Sequence, residues 1–203
     1  MKEISLHLLD IAQNSVAAQA SRIVIKIEVT SWNNIRDLLP AEDKKSEDTY
    51  WLVCEVIDNG RGMDPDFAKQ VTNPFATTRT TRDVGLGIPL LKLSAEMAGG
   101  GLVLESQPMK GTTVKAYFQV NNIDRIPLGD IASTFKILIL GNPDINWIIE
   151  FSSFKDKFVL DTQEVKKELG VIPIINDDVL DWIERTVCEG IKVVFGGVLD
   201  EVR

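Results

Sequence analysis

The apolar positions divide the chain into short segments with different periods. Over residues 3–20, Ile4, Leu8 and Ile11 recur at helical spacing with no Gly or Pro between them, which predicts a helix. Residues 22–30, Arg-Ile-Val-Ile-Lys-Ile-Glu-Val-Thr, alternate and are β-branched, which predicts a strand. Residues 31–49 are polar, with Pro40 and the cluster Glu42-Asp43-Lys44-Lys45, and read as an exposed loop leading to a second strand at 50–57. Pro65 is placed to open a short helix as its first residue. Residues 72–85 have no period, are rich in Thr and Arg, and end at Gly85. A helix over 88–98 stops at Gly99-Gly100-Gly101, and strands follow near 102–106 and 113–120.

Beyond about residue 124 the pattern changes. Thr134–Leu140 and Asn146–Phe151 read as two strands joined around Gly141-Asn142-Pro143-Asp144, with Lys157–Leu160 as a third. Residues 161–169 and 177–189 read as helices, separated by Gly170 and Pro173. The order helix, strand, strand, helix, strand, strand predicts an α+β fold, a sandwich in which helices cover one face of a mixed sheet. The expected organisation is a domain over residues 1–124 and a small α+β extension over 125–203.

Composition narrows the setting. With 203 residues, 44% apolar and 26% charged, the chain is of ordinary globular type. A net charge of -8 works against non-specific binding of nucleic acid or an anionic membrane. No run approaches the ~20 apolar residues of a membrane span. Glu3 and Asp10 interrupt the N-terminus, so it lacks a signal-peptide pattern, and a cytoplasmic protein is expected. Cys54 and Cys188 lie far apart in apolar patterns and are expected to be buried, reduced thiols.

Several short motifs carry candidate chemistry. Asp10 and Asn14 lie four residues apart and share a helix face. An amide oxygen suits Mg²⁺, and a carboxylate one turn earlier can hold or deprotonate a water; alone, the pair also fits a solvated polar face. Asp58-Asn59-Gly60-Arg61-Gly62-Met63 follows a buried strand, placing an acceptor at its end where glycines let backbone approach a flat ligand. By itself it also reads as a plain turn. Gly85-Leu86-Gly87 opens a helix whose free N–H groups favour phosphate, or it is a flexible helix entry. Gly111-Thr112-Thr113 enters the last of these strands, and a threonine hydroxyl there can both donate and accept.

In this order and spacing the motifs resemble the GHKL superfamily, which contains gyrase, the ninety-kilodalton chaperones, MutL and the histidine kinases. Asp10-Ile-Ala-Gln-Asn14-Ser-Val-Ala-Ala-Gln-Ala-Ser-Arg-Ile resembles its N box, and Asp58-Asn-Gly60-Arg-Gly62-Met its first glycine box. Asn73-Pro-Phe-Ala-Thr-Thr-Arg and Gly85-Leu-Gly87-Ile-Pro-Leu-Leu-Lys92 resemble the F box, lid and second glycine box of histidine kinases. The resemblance covers residues 1 to about 120. It implies a Bergerat-type ATP site formed by Asn14, Asp58, Gly60, Gly62, Thr78, Gly85, Gly87 and Thr112. Asp58, supported by Thr112, would take the adenine amino group, and Asn14 would ligate Mg²⁺. Residues 73–87 would close over the triphosphate, and Asp10 would activate a water or hydroxyl as the catalytic residue.

The chain as a whole resembles small stand-alone members of the superfamily from anaerobic bacteria. The N box begins within about ten residues of the start, leaving no room for a phosphoacceptor hairpin before it. His7, the sole histidine, reads as a partly buried polar residue beside the site rather than as a phosphoacceptor. The expected function is therefore Mg-dependent ATP binding by a signalling kinase that acts in trans on a protein partner. The alternatives are a nucleotide-dependent binding switch or a slow ATPase. Residues 125–203 would be a structural extension, a docking element or a homodimer contact.

Overall fold

The computed structural model describes residues 2–35, 49–71, 87–196 and 199. In chain order the elements are α1 (Ile4–Ala17), β1 (Arg22–Ser31), α2 (Trp32–Ile35), β2 (Tyr50–Asp58), α3 (Pro65–Val71), α4 (Gly87–Met97), β3 (Gly101–Gln107) and β4 (Gly111–Gln119). There follow α5 (Ile131–Gly141), β5 (Asn146–Ser152), β6 (Lys157–Asp161), α6 (Thr162–Leu169) and α7 (Asp177–Phe195). The strands form one six-stranded sheet in the order β3-β4-β2-β1-β5-β6. Every neighbouring pair is antiparallel except β1 and β5, so the sheet is mixed, as the element pattern predicts.

The alternation of each strand sets which face is covered. Ile23, Ile25 and Ile27 of β1 enter the main core with Leu52 and Val56 of β2, Phe118 of β4 and Trp147 of β5. The helices supply Leu8 and Ile11 from α1, Leu91 from α4, Phe135 from α5 and Ile183 from α7. The opposite face carries a smaller cluster of Trp51, Val53, Tyr117 and Ile35. The short α2 covers part of it, and the Trp32 and Trp51 ring centroids lie 5.6 Å apart. The expected loop over 31–49 thus begins as a helical turn, because Ile35 has an apolar patch to bury against. Residues 36–48 lie outside the described residues.

The strand expected over Thr134–Leu140 is instead the middle of helix α5. Its apolar run, Phe135-Lys-Ile-Leu-Ile-Leu140, is compatible with either period. Tertiary burial decides: Ile131, Phe135, Leu138 and Ile139 point into the core at helical spacing. Asp130 caps the helix by accepting from the Ser133 N–H at 2.9 Å. β5, β6, α6 and α7 lie close to the predicted segments.

Residues beyond 124 extend the same sheet and share its core, since β5 runs parallel to β1 and α5 packs beside α1. They also cap α1. Glu3, at the N-cap position, makes no side-chain cap, and the first helical donors find carbonyls elsewhere. The Ile4 N–H donates to the Pro127 carbonyl at 3.0 Å and the Ser5 N–H to that of Leu128 at 2.8 Å. Cys54 is buried and Cys188 half-buried, both free, and burial pushes the Cys54 thiol up to about 12, which keeps it protonated.

Trp147 is fully buried on β5, and its indole N–H donates to the Asn142 carbonyl at 3.0 Å. Trp147→Ala is expected to cost about 3–5 kcal/mol of unfolding free energy in urea titrations, the range for deleting a buried aromatic side chain.

Candidate nucleotide site

β2 ends at Asp58, which is only 8% exposed. Its Oδ1 accepts from the N–H of Gly60 at 2.8 Å and of Thr112 at 3.3 Å, and its Oδ2 accepts from the Ser15 hydroxyl at 2.7 Å. A carboxylate withdrawn from water is costly unless donors surround it, and three elements supply them here. Ser15 comes from α1, Gly60 from the turn after β2, and Thr112 from β4. Ser15 also lies 3.3 Å from the Ile11 carbonyl, but its single proton is better matched by the shorter bond to Asp58.

The turn after Asp58 is fastened on both sides. Asn59 accepts from the N–H groups of Ser21 and Arg22, each at 2.9 Å. The Arg61 N–H donates to the Ala18 carbonyl at 2.9 Å, and the Met109 N–H donates to the Arg61 carbonyl at 2.7 Å. Gly60 lies so near α1 that a Cβ would stand 2.8 Å from the Ala18 carbonyl oxygen. Gly62 has φ +65°, and a Cβ there would stand 1.9 Å from the Gln107 carbonyl oxygen. Ser106 locks the far side: it accepts from the Met63 N–H at 2.8 Å and donates to the Gly111 carbonyl at 3.1 Å. The Thr112 hydroxyl, 2.9 Å away, then donates to Ser106 and keeps its lone pairs for another partner.

Above Asp58 is a cavity of about 150 Å³. Its walls are mostly apolar, from Ile11, Met63, Val71, Ile88 and Val114, with Asp58, Thr112, Ser15 and Asn14 as polar points. Such a shape suits a flat base held by an acceptor and two apolar faces.

Asn14 is exposed at the cavity mouth, and Asp10, one turn earlier on the same helix, is half-buried. Gly87 begins α4 against Asp10: a Cβ on Gly87 would lie 1.7 Å from Asp10 Oδ2. The missing side chain therefore makes room for a carboxylate at the start of a helix, where a negative charge is favoured. Of the residues anticipated from sequence, the fold brings Asp10, Asn14, Asp58, Gly60, Gly62, Gly87 and Thr112 together on one side of the sheet. Thr78 and Gly85, with the rest of 73–86, lie outside the described residues. Ser15, Ser106 and Asn59 were not singled out by sequence. Ser15 and Asn59 lie inside recognised motifs, but Ser106 carries no local signal.

His7 is fully buried rather than partly so. Among the described residues its Nδ1 has no hydrogen-bond partner, and its Nε2 lies 3.5 Å from Ser94 Oγ on α4. Burial lowers its pKa from 6.5 to about 4, so the ring is neutral at pH 7.

The sequence profile of the histidine kinase-, DNA gyrase B- and HSP90-like ATPases matches residues 2–122, more than half of the chain. The chain belongs to that family. The autoinducer 2 sensor kinase/phosphatase LuxQ of Vibrio parahaemolyticus is 25% identical over 152 residues, 67% of this chain and 18% of the relative. The sensor histidine kinase DcuS of Escherichia coli K12 is 36% identical over 58 residues, 29% of this chain and 10% of the relative. The chain thus spans less than a fifth of these curated relatives. A crystal structure of the N-terminal domain of a DNA repair protein has the same fold. It superposes with a TM-score of 0.51 at 13% identity, over 86% of this chain and 59% of the other. Among the described residues, no helix is long and apolar enough to cross a membrane.

The depressed pKa of His7 makes stability pH-dependent. Between 6.5 and about 4 the unfolded chain binds a proton that the folded chain excludes, so stability falls on acidification through that window. His7→Leu is expected to flatten this slope, removing on the order of 3 kcal/mol of acid sensitivity, as read from urea unfolding at a series of pH values.

Proposed function

We propose that the chain binds Mg-ATP in the cavity above Asp58 and acts as a signalling kinase on a separate partner protein. The observation that carries the nucleotide reading is the state of Asp58. Among the described residues its Oδ1 accepts from two backbone donors and its Oδ2 from the Ser15 hydroxyl, which leaves Oδ2 with acceptor capacity for a ligand in the cavity that Asp58 lines. An exocyclic amine, as on adenine, is the complement of that arrangement. The Thr112 lone pairs offer a second acceptor beside it. Asn14 fits a Mg²⁺ role by its chemistry and place, an amide oxygen at the cavity mouth; the ion would neutralise phosphate charge.

Asp10 is the residue to receive the proton of an attacking group, being one helical turn from Asn14 and next to the start of α4. Transfer to a partner is supported by His7, which is enclosed between α1 and α4 and so is closed to phosphorylation in this conformation. The sensor kinases among its relatives point the same way. A second reading, hydrolysis of ATP, rests on Asp10 alone, since the same carboxylate can direct water. The Pro127 and Leu128 carbonyls support the start of α1, and the negative net charge makes a protein rather than nucleic acid the expected macromolecular partner.

Asp58→Asn should weaken binding of a fluorescent ATP analogue by ~30-fold, the loss of about 2 kcal/mol from a charge-assisted hydrogen bond. Equal affinity in the variant would remove the base-binding role. Asp10→Ala should keep ATP affinity within about threefold and abolish label transfer from γ-labelled ATP to a partner. Steady phosphate release by the parent protein, with no labelled acceptor, would favour the hydrolytic reading.

A further inference from the structure

Ser106 lies on β3 and is not among the residues lining the cavity above Asp58, yet it controls how one of them can bond. A hydroxyl has one proton and two lone pairs, and among the described residues that of Ser106 has three polar neighbours. The Met63 N–H, 2.8 Å away, can only donate to it. The Gly111 carbonyl, 3.1 Å away, can only accept from it. The Thr112 hydroxyl, 2.9 Å away, can do either. If Ser106 donated to Thr112, it would face the Gly111 oxygen with no proton between them. Donation to Gly111 gives each of the three contacts one proton, and it obliges Thr112 to donate to Ser106. The bonding capacity of Ser106 is then used up, and the Thr112 oxygen keeps only lone pairs for a ligand.

The other enclosed polar groups of the cavity have the same polarity. Asp58 is an acceptor, and the Ser15 proton is spent on Asp58 Oδ2 at 2.7 Å. The donor-bearing side chains that line the cavity, Asn14 and Arg61, are both exposed. Asp58, Ser15 and Thr112 therefore all offer lone pairs inward. A primary amino group carries two protons and can serve two such acceptors, whereas a carbonyl oxygen in its place meets lone pairs alone.

We propose that Ser106 is a positioning residue for base selection: by holding the Thr112 hydroxyl as an acceptor, it makes the cavity choose an amino group over an oxo group. This rests on the nucleotide reading and deepens it, because Asp58 supplies only one part of the choice. Ser106 acts through Thr112. Without the Ser106 hydroxyl the Thr112 proton is free to turn, and a free hydroxyl can donate to an oxo group as readily as it accepts from an amine.

The test is competition by ATP and by inosine triphosphate, whose base carries a 6-oxo group in place of the amine, against a fluorescent ATP analogue on the full chain with Mg²⁺. The parent is expected to prefer ATP by at least about 100-fold. Ser106→Ala should narrow that preference by about tenfold, whereas mere loosening of the turn would weaken both ligands alike and leave the ratio in place. In a Thr112→Val background the same substitution should no longer change the ratio. If Ser106→Ala does not fold, as read from thermal unfolding, Ser106→Cys takes its place with the same expectation, being close in shape and a weak acceptor. ATP binding with an unchanged ratio in the Ser106 variant would overturn this inference alone. A narrowing that persists in the Thr112→Val background would overturn it too, since the effect would not pass through Thr112. A parent chain that binds no ATP would overturn the nucleotide reading and this inference together.

Discussion

Asp58 is a carboxylate placed where water barely reaches it, and much of the surrounding structure answers the requirement to compensate that charge. Its three donors come from α1, from the turn after β2 and from the start of β4, so none of these elements can shift without leaving the anion short of a partner. The close approaches that follow are of one kind. Gly60 touches α1, Gly62 touches the β3–β4 hairpin, and Asn59 and Ser106 tie the turn to its neighbours. A polar network of this sort is worthwhile only when completely satisfied, and it defines one arrangement of the cavity walls before any ligand arrives. Folding itself thus fixes the position of the Asp58 carboxylate and of the apolar walls above it.

The opposite end of the site is organised by a different device, the contact between Asp10 and Gly87. Here the absent side chain belongs to one residue and the reason for its absence to another, 77 positions away by the difference of their numbers. The glycine then does more than ease the entry to α4. It lets α1 and α4 share one small volume, and it sets Asp10 at a helix start beside Asn14. Both of these arrangements are thus referenced to α1, which contributes Asp10 and, one turn later, the neighbouring Asn14 and Ser15.

Much of this was legible in the chain itself. α1, β1, β2, α4, β3 and β4 announce themselves by clean periods and by glycines and prolines at their ends, and Asp58 and Asn14 stand out through motif order. What was not legible depends on distant residues. The run Phe135–Leu140 is apolar under either period, and only the core formed with α1 and α7 makes it a helix. Ser106 looks like any hydroxyl on an edge strand until the chain closes and brings Met63, Gly111 and Thr112 around it. His7 was expected to be half-exposed, but α4 covers it, and its unpartnered Nδ1 has no counterpart in local sequence. The helical turn at Trp32–Ile35 likewise depends on a patch formed by β2 and β4.

Pro127 and Leu128, from the segment after β4, cap the first turn of α1. Because the helix has no side-chain cap of its own, its first turn and the segment after β4 open and close as one unit. Amide exchange at Ile4 and Ser5 therefore reports on the integrity of residues 125–128 rather than on local helix fraying. The helix that carries Asp10, Asn14 and Ser15 is anchored at its own beginning by Pro127 and Leu128, which are not among the residues lining the cavity.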